Sequence, residues 1–364
     1  MAHSDYQGAF IEKILTVPTA VAEETVFVAG NHHVSLPHIG QNGSVLALSH
    51  LSKVGNALVE YTGQPLFCLT MNGKALQAAE AKYTYSFIPT FNATAEDIDI
   101  EWSFFAPEGI RGFVVRARLC AKTAQTANLS LQFTPGQLLR GLFHSRPLKA
   151  DSAFGVDEWT GAAAAEYTAG FGVSALAVSG QQGFSATAKK GRLLVEQKIE
   201  LSANTPAILE FYVALGTEQD GACLANMDMR RRAGSLYENY TKMLENREIS
   251  IPDSILERRV NLNLNFCYYF SMGRPLDSDD LMLMTSKSSR YYVSGAYWAR
   301  DCFLWAFPAI LRVDATMAKQ ALLAGFTTYL KQGANHALYL NGANLYPGFE
   351  LDELVAPLIA LQRY

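Results

Sequence analysis

This 364-residue chain predicts a multidomain β plus α protein, in which a large antiparallel β-sandwich is followed by helices. Three observations point there. From Thr25 to about Gly216 the chain runs in short segments rich in Val, Ile, Phe, Tyr and Thr, with Gly, Pro, Asn and Asp between them. Several of those segments alternate apolar and polar residues, as half-buried strands do, and no helix intervenes. After Gly221 the apolar spacing changes to that of helices.

The strand-like runs include Thr25–Ala29, Tyr83–Ile88, Ile98–Phe104, Gly112–Leu119, Leu193–Ile199 and Ala207–Val213. Ala222 to Asn246 then reads as one helix carrying Met227, Met229, Leu236, Tyr240 and Met243. Ile251-Pro-Asp-Ser254 reads as an entry turn, with Asp253 or Ser254 capping a helix that runs to about Ser271. Further helices are expected over Cys302–Arg312, Ala315–Gln332 and Glu353–Tyr364. These elements divide the chain into a sandwich (residues 1–220), a linker helix (221–250) and the start of a helical domain (251–364).

A net charge of −4 with no Lys/Arg run lacks the footprint of a nucleic-acid-binding or polybasic membrane-surface protein. No window offers the run of about 18 apolar residues that a membrane helix needs. The early apolar stretch Phe10–Val17 is broken by Glu12 and Lys13 and does not read as a secretory signal. Cys68, Cys120, Cys223, Cys267 and Cys302 are odd in number, widely spaced and free of CxxC patterns, so no disulfide framework or structural zinc is expected. A soluble, cytoplasmic setting fits these features. The sequons at Asn92, Asn128 and Asn239 read as chance without a signal.

Two constellations carry chemistry. Tyr291-Tyr-Val-Ser-Gly-Ala-Tyr-Trp-Ala-Arg-Asp301 crowds Tyr291, Tyr292, Tyr297 and Trp298 beside Arg300 and Asp301. Aromatic faces next to a bidentate donor and a carboxylate suit a sugar, which has apolar faces and polar edges. The plainer alternative makes Asp301 a helix cap and the aromatics core. Tyr346-Pro-Gly-Phe-Glu-Leu-Asp-Glu353 places Glu350, Asp352 and Glu353 in an otherwise apolar stretch. Glycosidic cleavage needs one carboxylic acid to protonate the leaving oxygen and a second carboxylate to activate water or attack carbon. Burial and mutual repulsion raise the proton affinity of one member of such a cluster, against the anion-stabilising end of a helix. Plain helix-start decoration is the alternative here. Pro357 is expected in the first turn of the helix, which places the acids at its start.

Weaker candidates read as structural. Asp277-Ser-Asp-Asp280 lacks the glycine and distal glutamate of a calcium loop and reads as a polar turn. His32, His33 and His38 read as loop or surface histidines, and Cys302 as a packed helix residue.

Taken together, the two constellations resemble a known family. Trp298-Ala-Arg-Asp301 with Pro308 resembles the Trp-x-Arg-Asp motif and downstream proline of metal-independent exo-acting α-mannosidases, glycoside hydrolase family 125. Glu350-Leu-Asp-Glu-Leu-Val-Ala-Pro357 resembles that family's Glu-Val-Asp segment, with its proline at the same offset. Those enzymes are six-hairpin glycosidases, so the resemblance implies that the helical region opens an (α/α)6 barrel. It places the general acid at Asp352 and assigns the terminal sugar's hydroxyls to Arg300 and Asp301. Beside them Glu350 and Glu353 are expected to tune the acid or bind sugar, and Trp298 and Tyr297 to be further sugar contacts. Glucoamylase-like enzymes share Trp-x-Arg-Asp. Their Asp-Leu-Trp-Glu-Glu segment, aligned on Glu350-Leu-Asp-Glu353, makes Glu353 the acid instead.

The sandwich before the barrel is as in bacterial glucoamylases and several phosphorylases of that superfamily. A twelve-helix barrel needs far more chain than the residues after Ile251 supply, and its general base lies well downstream of the acid. The expectation is therefore an N-terminal fragment without that base. The apolar stripe on Leu354, Val355, Leu358, Ile359 and Leu361 agrees with this. The activity implied is exo-acting hydrolysis of terminal α-linked sugars, α-mannosidase-like and inverting, on an oligosaccharide substrate with no cofactor and no metal. Alternatives are a glucoamylase-like α-glucosidase, a sugar phosphorylase of the same superfamily and a non-catalytic carbohydrate-binding module.

Overall fold

A computed structural model describes residues 16–18, 26–142, 145–170, 172–189, 191–288 and 293–364. Two large antiparallel sheets face each other across one core. The nine-stranded sheet runs in the order Thr16–Pro18, Glu80–Thr84, Ile88–Ala95, Ile98–Phe105, Gly112–Ala121, Ala207–Gly216, Gly172–Ser179, Ala163–Ala169, Ala150–Val156. The other sheet is built around Arg192–Leu201, Gln125–Phe133, the long strand Ala57–Met71, Val45–Ser52 and Val34–Ile39. In Ile98–Phe105 the residues Ile98, Ile100, Trp102 and Phe104 point into the core, while Asp99 is exposed.

Part of the nine-stranded sheet is buried on both faces, which explains why its middle strands read as continuous apolar runs. Phe104, Val115, Phe211 and Val213 enter the sandwich core. Their neighbours Phe105, Val114, Tyr212 and Ala214 join the apolar cluster of the helices. Helix α1 (Gln219–Arg231) lies on that outer face, where Asn226 Nδ2 donates to the carbonyls of Ala177 and Tyr212 at 3.1 and 2.8 Å. Ala162, Ala164, Ala175 and Ala177 meet Ala222 and Cys223 there, and their small side chains permit a close approach.

The single helix expected over Ala222–Asn246 is two. Helix α1 ends at Arg231 and α2 spans Ser235–Arg247. Gly234 between them has φ +79°, a conformation that interrupts a right-handed helix and that glycine adopts without strain. Helix α3 (Ser254–Phe270) starts as expected, its first amides bonded to Asp253 Oδ1 at 2.9 and 3.0 Å.

The helix expected at Cys302 begins as a π-turn, Arg300–Ala306, and continues as α4 (Phe307–Val313). Pro308 has no N–H for the carbonyl of Leu304, so the ordinary ladder cannot run through this point. Helix α5 (Ala315–Ala324) is capped by Asp314 and continues as π and 3-10 turns to Gln332, where the helical stretch was expected to end. Gly325 lies against Phe303 there, and a Cβ at this position would stand 2.5 Å from the ring. A hairpin, Asn335–Leu338 with Asn344–Phe349, precedes α6 (Leu351–Arg363). Because α6 starts at Leu351, Pro357 falls inside the helix rather than in its first turn, and it removes only the bond to the carbonyl of Glu353.

Of the histidines expected in loops or at the surface, His32 and His33 lie in a bend but are buried. His32 and His33 are 6% and 7% exposed, because the segment after α3 covers them. Arg274 N–H donates to the His32 carbonyl at 2.7 Å, and the His32 ring meets Tyr268 edge-on at 4.7 Å. Burial holds His32 well below its ordinary pKa and lowers His33 to about 4. Lys287, wholly buried, donates to the Asn31 carbonyl and closes the same junction. Asp277 accepts from the Lys53 and Val54 amides at 2.8 and 2.9 Å, while Asp280 pairs with Lys53. The polar turn thus fastens the helical region to a sandwich loop. Among the described residues no helix is long and apolar enough to cross a membrane.

Candidate active site

The π-turn, the hairpin and α6 converge on Arg300. Its backbone N–H donates to Glu353 Oε2 at 2.9 Å. Its Nη1 reaches Asp352 Oδ2 at 2.6 Å and Glu350 Oε2 at 3.3 Å, and its Nη2 lies 3.5 Å from Glu353 Oε1. Asp301 is 3.9 Å from Nε of the same guanidinium. The charged residues of the two constellations, separated in sequence, are therefore one cluster in space. Glu350 is the N-cap residue of α6, with Asp352 and Glu353 in the first turn, where the helix end favours negative charge.

The carboxyls are set apart by their surroundings. Glu353 is 1% exposed. Burial pushes its pKa up from 4.5 to about 7, against the opposing pull of the Arg300 amide and guanidinium. Among the described residues Glu353 Oε1 has no hydrogen-bond partner. Asp352 is half-exposed, and its bond to Arg300 holds its carboxyl below the ordinary range. Burial raises Asp301, with Arg300 opposing. Cys302, buried behind them, is held well above the ordinary thiol value by burial and by the charges of Asp301 and Glu353.

Asp301 lines a cleft of about 390 Å³ together with Phe266, Phe270, Thr285, Ser286 and Trp305. Trp305 is 62% exposed, and Thr285 Oγ1 is buried without a partner among the described residues. An open indole, two apolar rings, hydroxyls and a carboxyl are the chemistry that a pyranose ring matches. Among the described residues no His, Cys, Asp and Glu group is arranged to hold a metal.

Tyr297 and Trp298 of the first constellation lie elsewhere. Tyr297 is 2% exposed and stacks on Tyr329 with ring centroids 3.9 Å apart, inside the apolar cluster of the helices. Trp298 is also buried, its ring 6.0 Å from His336. Tyr291 and Tyr292 lie outside the described residues.

Sequence reasoning passed over two residues. Trp305 lies one turn after Asp301, a spacing readable as a shared helix face. His336 Nδ1 lies 2.5 Å from Glu350 Oε1, a pairing made across the hairpin. The signal for that hairpin was Asn341-Gly342 between apolar runs; Gly342 takes φ +84° in the turn.

No family model matches the sequence, and no curated protein matches it. Solved structures do. A putative kojibiose phosphorylase from the human microbiome is similar with a TM-score of 0.57 and 11% identity, over 94% of this chain and 54% of that one. A bacterial glucoamylase complexed with acarbose is similar with a TM-score of 0.57 and 13% identity, over 93% of this chain and 55% of that one. The chain thus spans about half the length of the structures it matches. At these identities the likeness is one of fold: two large antiparallel sheets followed by helices, as in the N-terminal part of glucoamylase and phosphorylase structures.

Proposed function

We propose that this chain belongs to an enzyme that cleaves terminal α-linked glucosyl residues, and that Glu353 carries the proton given to the leaving oxygen. The observation that carries this reading is the division of labour around Arg300. A carboxyl whose pKa burial raises to about 7 holds its proton well above the pH at which an ordinary carboxyl has lost it, whereas one bonded to a guanidinium ionises early. This favours the glucoamylase-like register over the assignment of the acid to Asp352. Asp352, which its bond to Arg300 keeps ionised, offsets positive charge developing on the sugar ring, and Asp301 lies beside the same guanidinium. Sugar hydroxyls would compete with Asp352 and Glu350 for Arg300, opening the way to Glu353 Oε1. The cleft beside Asp301 and Trp305 receives the terminal ring.

Support for α-glucosides, in place of the α-mannosides suggested by the proline spacing, comes from the similar structures: a putative phosphorylase of kojibiose and a glucoamylase holding acarbose. Water or phosphate completes the displacement in such enzymes. The test is a screen of the protein in its full natural length against maltose, kojibiose and α-mannobiose, with and without inorganic phosphate, reading products and anomeric configuration by NMR. Release of glucose, or of glucose phosphate when phosphate is present, is the expected result. Turnover of the mannoside alone, or of none of the three, would overturn the reading.

A further inference from the structure

Resting on the reading that the Arg300 cluster receives a sugar, we propose that His336 binds a hydroxyl of that sugar through Nε2, in a tautomer set by Glu350. An ionised carboxylate can only accept, so the 2.5 Å contact to Glu350 Oε1 requires the proton on His336 Nδ1. In the neutral imidazole Nε2 is then an acceptor. Among the described residues Nε2 meets no hydrogen-bond partner, and the side chain is 43% exposed. A sugar O–H is a donor of the right kind.

The ring is held in place. Trp298 meets it edge-on at 6.0 Å and Tyr346 at 6.1 Å. Its strand is fastened to the start of the π-turn segment, for Leu338 and Tyr297 exchange both backbone bonds at 2.9 and 3.0 Å. Glu350 then passes the constraint on, its other oxygen standing 3.3 Å from Arg300 Nη1. An oxygen bound at Nε2 therefore belongs to the same network that positions Arg300. The ligand class is a pyranoside presenting a free hydroxyl toward the hairpin, and His336 is a specificity residue.

Long-range proton–nitrogen correlation spectra of the chain, recorded as maltose and then kojibiose are added, test both parts. The expected result is a proton on Nδ1 of the free protein and an Nε2 resonance that moves with sugar. In the full natural length, His336→Asn keeps an amide donor for Glu350 and lacks Nε2. It is expected to raise KM roughly tenfold, the loss of one neutral hydrogen bond, with the smaller part of the change in kcat. His336→Gln, whose amide reaches farther, recovers part of the loss. A proton on Nε2 in the free protein overturns the proposal, as does an unchanged KM in His336→Asn. If the wild-type protein turns over neither glucoside, the α-glucosidic reading fails on its own. The spectra then decide with methyl α-mannoside, and an Nε2 resonance unmoved by all three sugars overturns the hydroxyl contact.

Discussion

Glu353→Gln should give a protein that is far less active and more stable. Glutamine keeps the shape of the side chain and an acceptor for the Arg300 amide, 2.9 Å away, but has no proton to give and no charge to bury. The folded pKa, about 7, lies above the ordinary 4.5, so the native state binds the proton more tightly than the unfolded one. The stability this contributes is complete below pH 4.5 and is lost as pH rises through 7. At pH 8 the wild type therefore bears a cost of about 3 kcal/mol for ionising a buried carboxyl, and at pH 5 under about 1 kcal/mol. Glutamine escapes that cost, so urea unfolding should show the variant ahead by about 3 kcal/mol at pH 8 and nearly level at pH 5. Turnover of a substrate with a poor leaving group should fall by roughly two to four orders of magnitude, the usual contribution of a general acid. A variant less stable than wild type at pH 8 would mean that the Arg300 pairing outweighs burial, and the proton assignment would fall with it.

Lys287 is wholly buried and its pKa is depressed to about 7, so between that pH and 10.5 the unfolded state binds more protons and stability is lost as pH falls. Lys287→Met should gain on the order of 3 kcal/mol at pH 7 after losing its bond to Asn31, and the gain should vanish near pH 10.5, as read by urea midpoints. Trp305→Ala should weaken maltose binding about tenfold in calorimetry while moving stability by less than about 0.5 kcal/mol, because the indole is exposed. Gly43 has φ +77°, and a Cβ there would stand 2.3 Å from the buried Trp102 ring. Gly43→Ala should therefore cost about 3 kcal/mol in thermal unfolding, and a neutral result would show that Trp102 can shift freely.

The legible parts of the fold were those governed by local chemistry. Asp253 ahead of an apolar-periodic run marked the start of α3, and alternation marked Ile98–Phe105. The missed features depended on partners distant in sequence. The break between α1 and α2 turns on Gly234, which a periodicity count passes over, and the burial of His32 and His33 depends on a segment more than two hundred positions away. The hairpin bearing His336 was signalled only by Asn341-Gly342.

By itself the sequence determined the order of textures, β then α, and the residue types able to do glycosidic chemistry: Arg300 and Asp301 in one motif, Glu350, Asp352 and Glu353 in another. Those follow from side-chain periodicity and functional groups, which are local properties of the chain. Only the tertiary structure decided that the motifs meet on one guanidinium, that Asp352 shares it in the open, and that Glu353 is buried. Proton affinity depends on neighbours and on distance from water, and both are set by packing between segments that the chain keeps far apart.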